Sequence, residues 1–544
     1  MKRREFLQIT AVGGSALAAA GLSACEPKSE AKKKKKRKKS PPPFELDELT
    51  VAALQEGMAS GKYSARKLVE MYLERIERVD KGDYGVNSVI EINPDAEAIA
   101  HARDAERREN NIRGPLHGIP VMIKDNIDTA DKMMTTAGSL ALSGSIAAQD
   151  SYVAQKLREA GAIILGKTNL SEWANFRSTR STSGWSGRGG QTNNPYALDR
   201  NPCGSSSGSG AAVSANLCTI TIGTETNGSV VCPSSANGIV GIKPTVGLVG
   251  RSGIIPIAHT QDTAGPMART VRDAAIMLGA LTGIDPRDDI TNESKGNSHT
   301  DYTQFLDPNG LKGTRIGVAR NYFGFHPGVD QLMEDAIAAI KELGAEVIDP
   351  ANIETRGEYG NAGFEVLLYE FKTDLNKYFM TVNANHPVRS LEALIQFNEE
   401  NKDASMPYFG QEILIMAQER GDLSSPEYID ALKKVRELSR DKGIDATMGK
   451  DNLDAIIAPT GGPAWYTDWV NGDHFGGSSS SPAARSGYPN ITVPAGFIHG
   501  LPVGISMFSR PYTEPQLIKY AYAFEQATNH RRAPEFLAHV DYGA

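Results

Sequence analysis

Residues 203–244 form a run of small side chains that constrains the fold more than any other part of the chain. The run opens with GSSSGSG at 204–210, crosses an apolar segment, reaches GTETNGSVVCP at 223–233 and closes with GIVGIKP at 238–244. Ser205 and Ser229 stand 24 residues apart within it, each next to a glycine. Small residues let a backbone turn tightly and let a substrate come close. The stretch reads as the framework of an active site, with a lysine supplied from upstream. A plain Gly/Ser linker does not fit, because a helical segment at 209–216 and a strand-like segment at 217–222 follow at once.

The rest of the chain alternates between strand and helix patterns. Ser64 is placed to cap a helix whose Leu68, Tyr72, Ile76 and Val79 share one stripe. A polar helix is expected at 95–109, and then a short apolar strand at 119–123 that ends on Lys124. Ends of parallel strands are where α/β sheets place ligands. A lysine there is either a salt-bridged stabiliser or a base made neutral by burial. A helix at 150–160, ended by Gly161, precedes a strand at 162–165. Residues 254–268 look like a Pro- and Gly-rich loop, 269–281 like a helix and 284–310 like a polar surface excursion. A strand–helix–strand unit follows at 315–348, helices fill most of 364–445, and strands are expected at 454–458, 491–497 and 501–507. The alternation predicts a single large three-layer α/β/α domain around a mixed sheet. No composition shift divides 44–544.

The N-terminus has a different character. Lys2, Arg3 and Arg4 precede an apolar stretch, and Leu22-Ser23-Ala24-Cys25 ends it. Residues 1–25 therefore resemble a twin-arginine export signal closed by a bacterial lipobox, with Cys25 as the lipidated residue. An uncleaved anchor helix is the alternative, weakened by Gly13, Gly14, Ser15 and Gly21. Residues 26–43 read as a disordered tether, with KKKKKRKK at 32–39 and prolines at 41–43. Such a tether either lies on anionic headgroups or is a solvated spacer. Residues 1–39 carry twelve Lys or Arg against three Glu, so the net −7 of the whole chain leaves −16 on 40–544. An acidic body argues against nucleic-acid binding. With Cys25 lipidated, three cysteines remain (Cys203, Cys218 and Cys232), an odd set that reads as buried apolar filler rather than a disulfide framework, with a single pair among them left open.

Several short motifs fail on context. Ser64 and Lys67 match S-x-x-K, but no Lys-Thr-Gly follows. Residues 161–168 match a P-loop expression, yet the residues between its glycines are a strand and not a flexible turn. GSSSG at 204–208 matches a nucleophile elbow at Ser206, but the polar DRNPC before it cannot be the buried strand that an elbow needs. Ser229 is better placed, behind a strand and in a loop that can aim successive backbone N–H groups inward at a developing oxyanion. Serine needs a base. The ten histidines offer no metal pair and no local partner, which leaves neutral Lys124 acting through Ser205 as a candidate.

Lys124 in GIPVMIKDN, the block from Gly204 and GTETNGSVVCPSSANGIVGIKPT from Gly223 resemble the amidase signature family. The likeness runs from about residue 50 to the C-terminus. It implies Ser229 as nucleophile, Ser205 as a bridging serine after a cis peptide bond and Lys124 as base. It also implies an oxyanion hole from the backbone N–H groups of Thr226, Asn227, Gly228 and Ser229, no cofactor and no metal. Two positions depart from the family pattern: Asn227 stands where glycine is common, and Glu225 where aspartate is. NLSEWANF at 169–176 and GWSGRGGQTNNP at 184–195 are similar to the peptide-amidase branch, which implies C-terminal peptide amides as substrates. The alternatives are an esterase of the same fold, a transamidating relative acting on tRNA, or an envelope lipoprotein that only binds amides. The export signal and acidic body oppose the transamidating relative. Replacing Cys25 by Ser is expected to move the protein from the membrane to the soluble fraction; unchanged fractionation refutes lipidation.

Overall fold

The computed structural model describes residues 43–82 and 84–542. The expected signal segment, Cys25 and all but the last residue of the tether lie outside the described residues. The apolar run before Lys124 forms a buried strand, as its pattern predicts, and that strand belongs to an eleven-stranded sheet. In chain order the strands are β1 Val89–Ile92, β2 Pro120–Lys124, β3 Ile163–Thr168, β4 Ile220–Glu225, β5 Val240–Lys243 and β6 Thr263–Ala268. They continue as β7 Arg315–Val318, β8 Glu346–Ile348, β9 Ala455–Pro459, β10 Asn490–Ile498 and β11 Leu501–Phe508. Their spatial order is β1-β3-β2-β4-β6-β5-β10-β11-β9-β7-β8.

The sheet is mixed. β3, β2 and β4 run parallel, with Val121 beside both Ile164 and Ile220. From β4 to β9 every neighbouring pair is antiparallel, and β9, β7 and β8 are parallel again. Successive residues of a strand face opposite sides of the sheet. Since β2, β3, β4, β6 and β9 are buried at every position, both faces are covered. This is the three-layer α/β/α arrangement. One continuous apolar core joins the sheet to the helices, among them Ala65–Arg75, Val271–Leu281 and Pro327–Glu342. Ser64 caps the first of these, its Oγ accepting from Lys67 N at 3.1 Å.

Three expectations are corrected. The Pro- and Gly-rich segment 254–268 is not all loop, because its last six residues are β6, in the middle of the sheet between β4 and β5. Its small residues are a packing requirement: a Cβ on Gly265 would lie 2.0 Å from the backbone oxygen of Ile242. The strand expected at 217–222 starts and ends three residues later, at Ile220 and Glu225. The polar excursion 284–310 is anchored, with Tyr302 fully buried and Thr291 and Ser294 inside as well. Of the two readings open for the cysteines, filler or a single pair, the structure has one pair and one filler. Cys203 and Cys232 are joined, with Cα atoms 6.1 Å apart, and Cys218 alone is a free, buried filler. Among the described residues no helix is long and apolar enough to cross a membrane.

A methyl group at Gly265 meets backbone that cannot step aside. Gly265→Ala should lower the free energy of unfolding by about 1–3 kcal/mol, the range for overpacking. Urea denaturation measures this, and a loss below about 0.5 kcal/mol would show that the sheet relaxes there.

Candidate active site

β2 and β4 are parallel neighbours and end side by side, with Ile123 level with Ile222. The amine of Lys124, the last residue of β2, is held by Ser205 and by Thr224 near the end of β4. Its Nζ lies 2.8 Å from Ser205 Oγ, 2.9 Å from Thr224 Oγ1 and 3.3 Å from the Thr224 carbonyl oxygen. Asn126 Nδ2 donates to the same Thr224 Oγ1 at 3.0 Å. Lys124 and Ser205 have no exposed surface. Burial brings the lysine pKa down from 10.5 to about 7, against the opposing pull of the Asp262 and Glu225 charges. Of the two readings open from the sequence, the structure has the desolvated amine and not the salt-bridged one.

Ser205 follows a cis peptide bond from Gly204. Gly204 has no room for a side chain, since a Cβ would come within 2.3 Å of Ser171 Oγ. Ser171 also fixes the next residue, donating from its backbone N to Ser205 O at 3.1 Å. Ser206, the alternative nucleophile, is tied to β4: its Oγ donates to Thr224 O at 3.1 Å and accepts from Thr224 N at 3.2 Å. Its backbone N donates to Ser229 O at 3.2 Å, which sets the two serine segments side by side. Ser229 retains 8% exposure, while Lys124 and Ser205 have none.

Carboxylates pin the turn from Thr226 to Ser229. Glu225 accepts from Gly228 N at 2.7 Å, Val230 N at 2.8 Å and Val231 N at 3.1 Å. Asp262 accepts from the Thr226 hydroxyl at 2.6 Å. The Asn227 side chain accepts from Ser480 Oγ at 2.7 Å and donates to Ser481 Oγ at 3.1 Å. Gly228 has φ +85°, a conformation that favours glycine. Asn227 does not share it, so its side chain serves as an anchor and not as a source of backbone freedom. Gly228 N–H, expected as an oxyanion donor, is already given to Glu225. The N–H groups of Thr226, Asn227 and Ser229 have no acceptor among the described residues. Sequence reasoning noticed Glu225 as a departure and missed its job. No local signal marked it: Glu225 reaches forward to the amides of Gly228, Val230 and Val231, which converge on it only once the turn has folded.

The rejected motifs take structural places. Lys167, from the P-loop match, is buried in β3 and donates to Ile127 O and Thr135 Oγ1. The segment 169–176 lies behind Ser205 through Ser171. Its Trp173, Ala174 and Asn175 all have positive φ, in a tight left-handed turn. Ala174 lines a cavity of about 440 Å³ that also reaches Asn126, Thr224, Thr226 and Asp262, on the Lys124 side of the site. Among the described residues, one cluster has metal-ligand spacing: His259, Glu370 and Asp374, near the same cavity. Its groups already have partners: His259 Nδ1 lies 2.8 Å from Asp374 Oδ2, and Glu370 accepts from Thr260 and Tyr428.

The family profile described as Amidase matches residues 67–518, most of the chain. The chain belongs to the amidase family. A probable amidase of Arabidopsis thaliana is 42% identical over 504 residues, covering 91% of this chain and 93% of the plant protein. The native peptide amidase of Stenotrophomonas maltophilia superposes with a TM-score of 0.87 at 48% identity, over 91% of this chain and all of that one. A peptide amidase in complex with the competitive inhibitor chymostatin gives 0.88 at 49% identity, over 90% of this chain and 100% of that one. The protein is thus an amide-hydrolysing enzyme with the amidase fold. In this amidase Glu225→Gln puts an amide NH2 against a backbone N–H. It should reduce kcat about a hundredfold, the scale for a displaced oxyanion donor, with KM less affected. Steady-state kinetics tests this, and an unchanged kcat would remove Glu225 from the site's support.

Proposed function

We propose that this amidase cleaves carboxamide C–N bonds through a seryl acyl-enzyme, with Ser229 as nucleophile, Ser205 as relay and Lys124 as base. The observation that carries the reading is a buried amine, neutral above about pH 7, within 2.8 Å of the Ser205 hydroxyl. A neutral Nζ has two N–H groups, which suit the two oxygens of Thr224, and one lone pair, which suits the Ser205 proton. Ser229 then passes its proton to Ser205 as its Oγ bonds to the amide carbon. The oxyanion takes the N–H groups of Thr226, Asn227 and Ser229, which have no other acceptor. Ser205 hands a proton to the amide nitrogen, the C–N bond breaks and the amine leaves. Water, deprotonated along the same path, releases the carboxylic acid and restores Ser229.

The substrates proposed are C-terminal peptide amides. Support comes from the likeness to peptide amidases and from the cavity beside Thr226, whose volume lies in the range for small-ligand sites. Its wall mixes Ile254, Ile255 and Ile257 with charged groups such as Arg251 and Asp374, as a peptide's alternation of backbone and side chain requires. The place of action proposed is the bacterial cell envelope, with Cys25 lipidated, 26–43 as tether and 44–544 as the catalytic domain. The N-terminal signal pattern supports this, and so does the Cys203–Cys232 bond, since disulfides persist in oxidising compartments.

Ammonia release from a panel of peptide amides and small carboxamides, set beside methanol release from the matching peptide methyl esters, tests the reaction and the substrate class together. Peptide amides should be the best substrates, and a preference for esters would favour the esterase reading. Because only unprotonated Lys124 can accept a proton, kcat/KM should rise with pH through about 7 and level off above it. Ser229→Ala and Lys124→Ala should each lose about three orders of magnitude or more in kcat, and Ser229→Ala should no longer react with a fluorophosphonate. Labelling that survives in Ser229→Ala, or a rate flat from pH 5 to 9, overturns the assignment.

A further inference from the structure

Ser205 and Ser229 come from different segments, and in the proposed reaction a proton passes between their hydroxyls, so the two segments must stay aligned. One backbone hydrogen bond, from Ser206 N to Ser229 O, holds the segments together on one side. A covalent bond closes the other side. Cys203 lies two residues before Ser205, Cys232 lies three after Ser229, and the two are joined. The ring so closed contains both serines and the pinned turn before the second. Cys203 is left-handed, with φ +60°, a conformation rare for a side-chain-bearing residue. Its backbone N is held by Asn201 Oδ1 at 2.9 Å. Ala236 and Trp465 pack with the two cysteines, which are 3% and 8% exposed. Trp465 is fixed in turn by its Nε1 donating to Asp473. The crosslink is thus buried and braced, and it joins the two segments that carry Ser205 and Ser229.

We propose that the Cys203–Cys232 disulfide is a positioning crosslink for the two serines, and that opening it slows acylation in a protein that stays folded. The inference rests on the assignment of Ser205 and Ser229 above. Opening is a two-electron reduction: a dithiol such as dithiothreitol gives two electrons and two protons, leaves two cysteine thiols and becomes a cyclic disulfide.

The test uses the full-length enzyme. Protein treated with dithiothreitol is alkylated under denaturing conditions, and a gain of two alkyl groups over the untreated control confirms reduction. The reduced enzyme, unalkylated, is then assayed on a peptide amide alongside near-ultraviolet circular dichroism. A displacement of about 1 Å is worth up to about a hundredfold in rate. The expected result is a fall of ten- to a hundredfold in kcat and in the fluorophosphonate reaction rate. KM should stay within about twofold, the dichroism should be retained, and reoxidation should restore activity. Cys203→Ser/Cys232→Ser should reproduce the loss without reductant; if that variant does not fold, the reduced wild type decides alone. A fully reduced, folded enzyme with kcat within twofold of the oxidised one overturns the proposal, as does a loss that only follows unfolding. An oxidised wild type that neither hydrolyses amides nor labels would instead overturn the serine assignment itself.

Discussion

The site depends on the removal of Lys124 from water. The residue closes a strand with a neighbouring strand on each side, and its amine has only hydroxyl and carbonyl oxygens for company. Holding the protonated form there costs about 5 kcal/mol relative to water, which is what brings the pKa to about 7. An exposed lysine is a cation at neutral pH and has no lone pair to offer. In the proposed reaction burial supplies the base, without a histidine. That burial in turn depends on β2 lying inside the sheet with both faces covered, so the size of the sheet serves the chemistry.

Topology explains why the site is here. β2 and β4 are parallel and finish together, whereas β6 runs antiparallel beside β4 and enters the same region at Thr263. Two segments leave and one arrives, which opens a crevice at the carboxyl ends of the parallel strands. Lys124 comes from one strand end, Thr224 and Glu225 from the other, and Asp262 from the residue just before β6. The serines then come from the two small-residue turns that flank β4. Each contributor is short-range relative to a strand end, so the geometry inherits the rigidity of the sheet.

These features differ in how readable they were. Lys124, Ser205 and Ser229, the residues of the proposed triad, stand out because glycine and serine in such density have no role in an ordinary core, and because an apolar run ends on a lysine. The carboxylates were not legible. Glu225 and Asp262 look like any acids in a chain with 65 of them, and only the folded turn shows that they accept backbone N–H groups. β6 was hidden for the opposite reason: Thr-Ala-Gly-Pro has poor strand propensity, yet tight packing against Ile242 demands small residues, and tertiary fit overrides local preference. The disulfide was left undecided by parity. Counting cysteines says how many can pair, while which ones do is set by segments that the sheet brings together.

Glu225 and Asp262 have a second effect, set by their position. In the proposed reaction Lys124 becomes a cation at the moment an oxyanion forms near Thr226. The two carboxylates favour the cation, which is why they oppose the fall in the lysine pKa. Taken alone they would disfavour the oxyanion as much. They are not free charges, however. Glu225 accepts three backbone N–H groups, and Asp262 accepts from Ile257 N, Ala258 N and the Thr226 hydroxyl. Those donors take up part of each negative charge, and they leave the turn with its remaining N–H groups directed elsewhere. The same bonds thus orient the donors an oxyanion needs and blunt the charge that would repel it. A glutamine at 225 would offer one acceptor oxygen where three N–H groups converge, so it could not hold all of them.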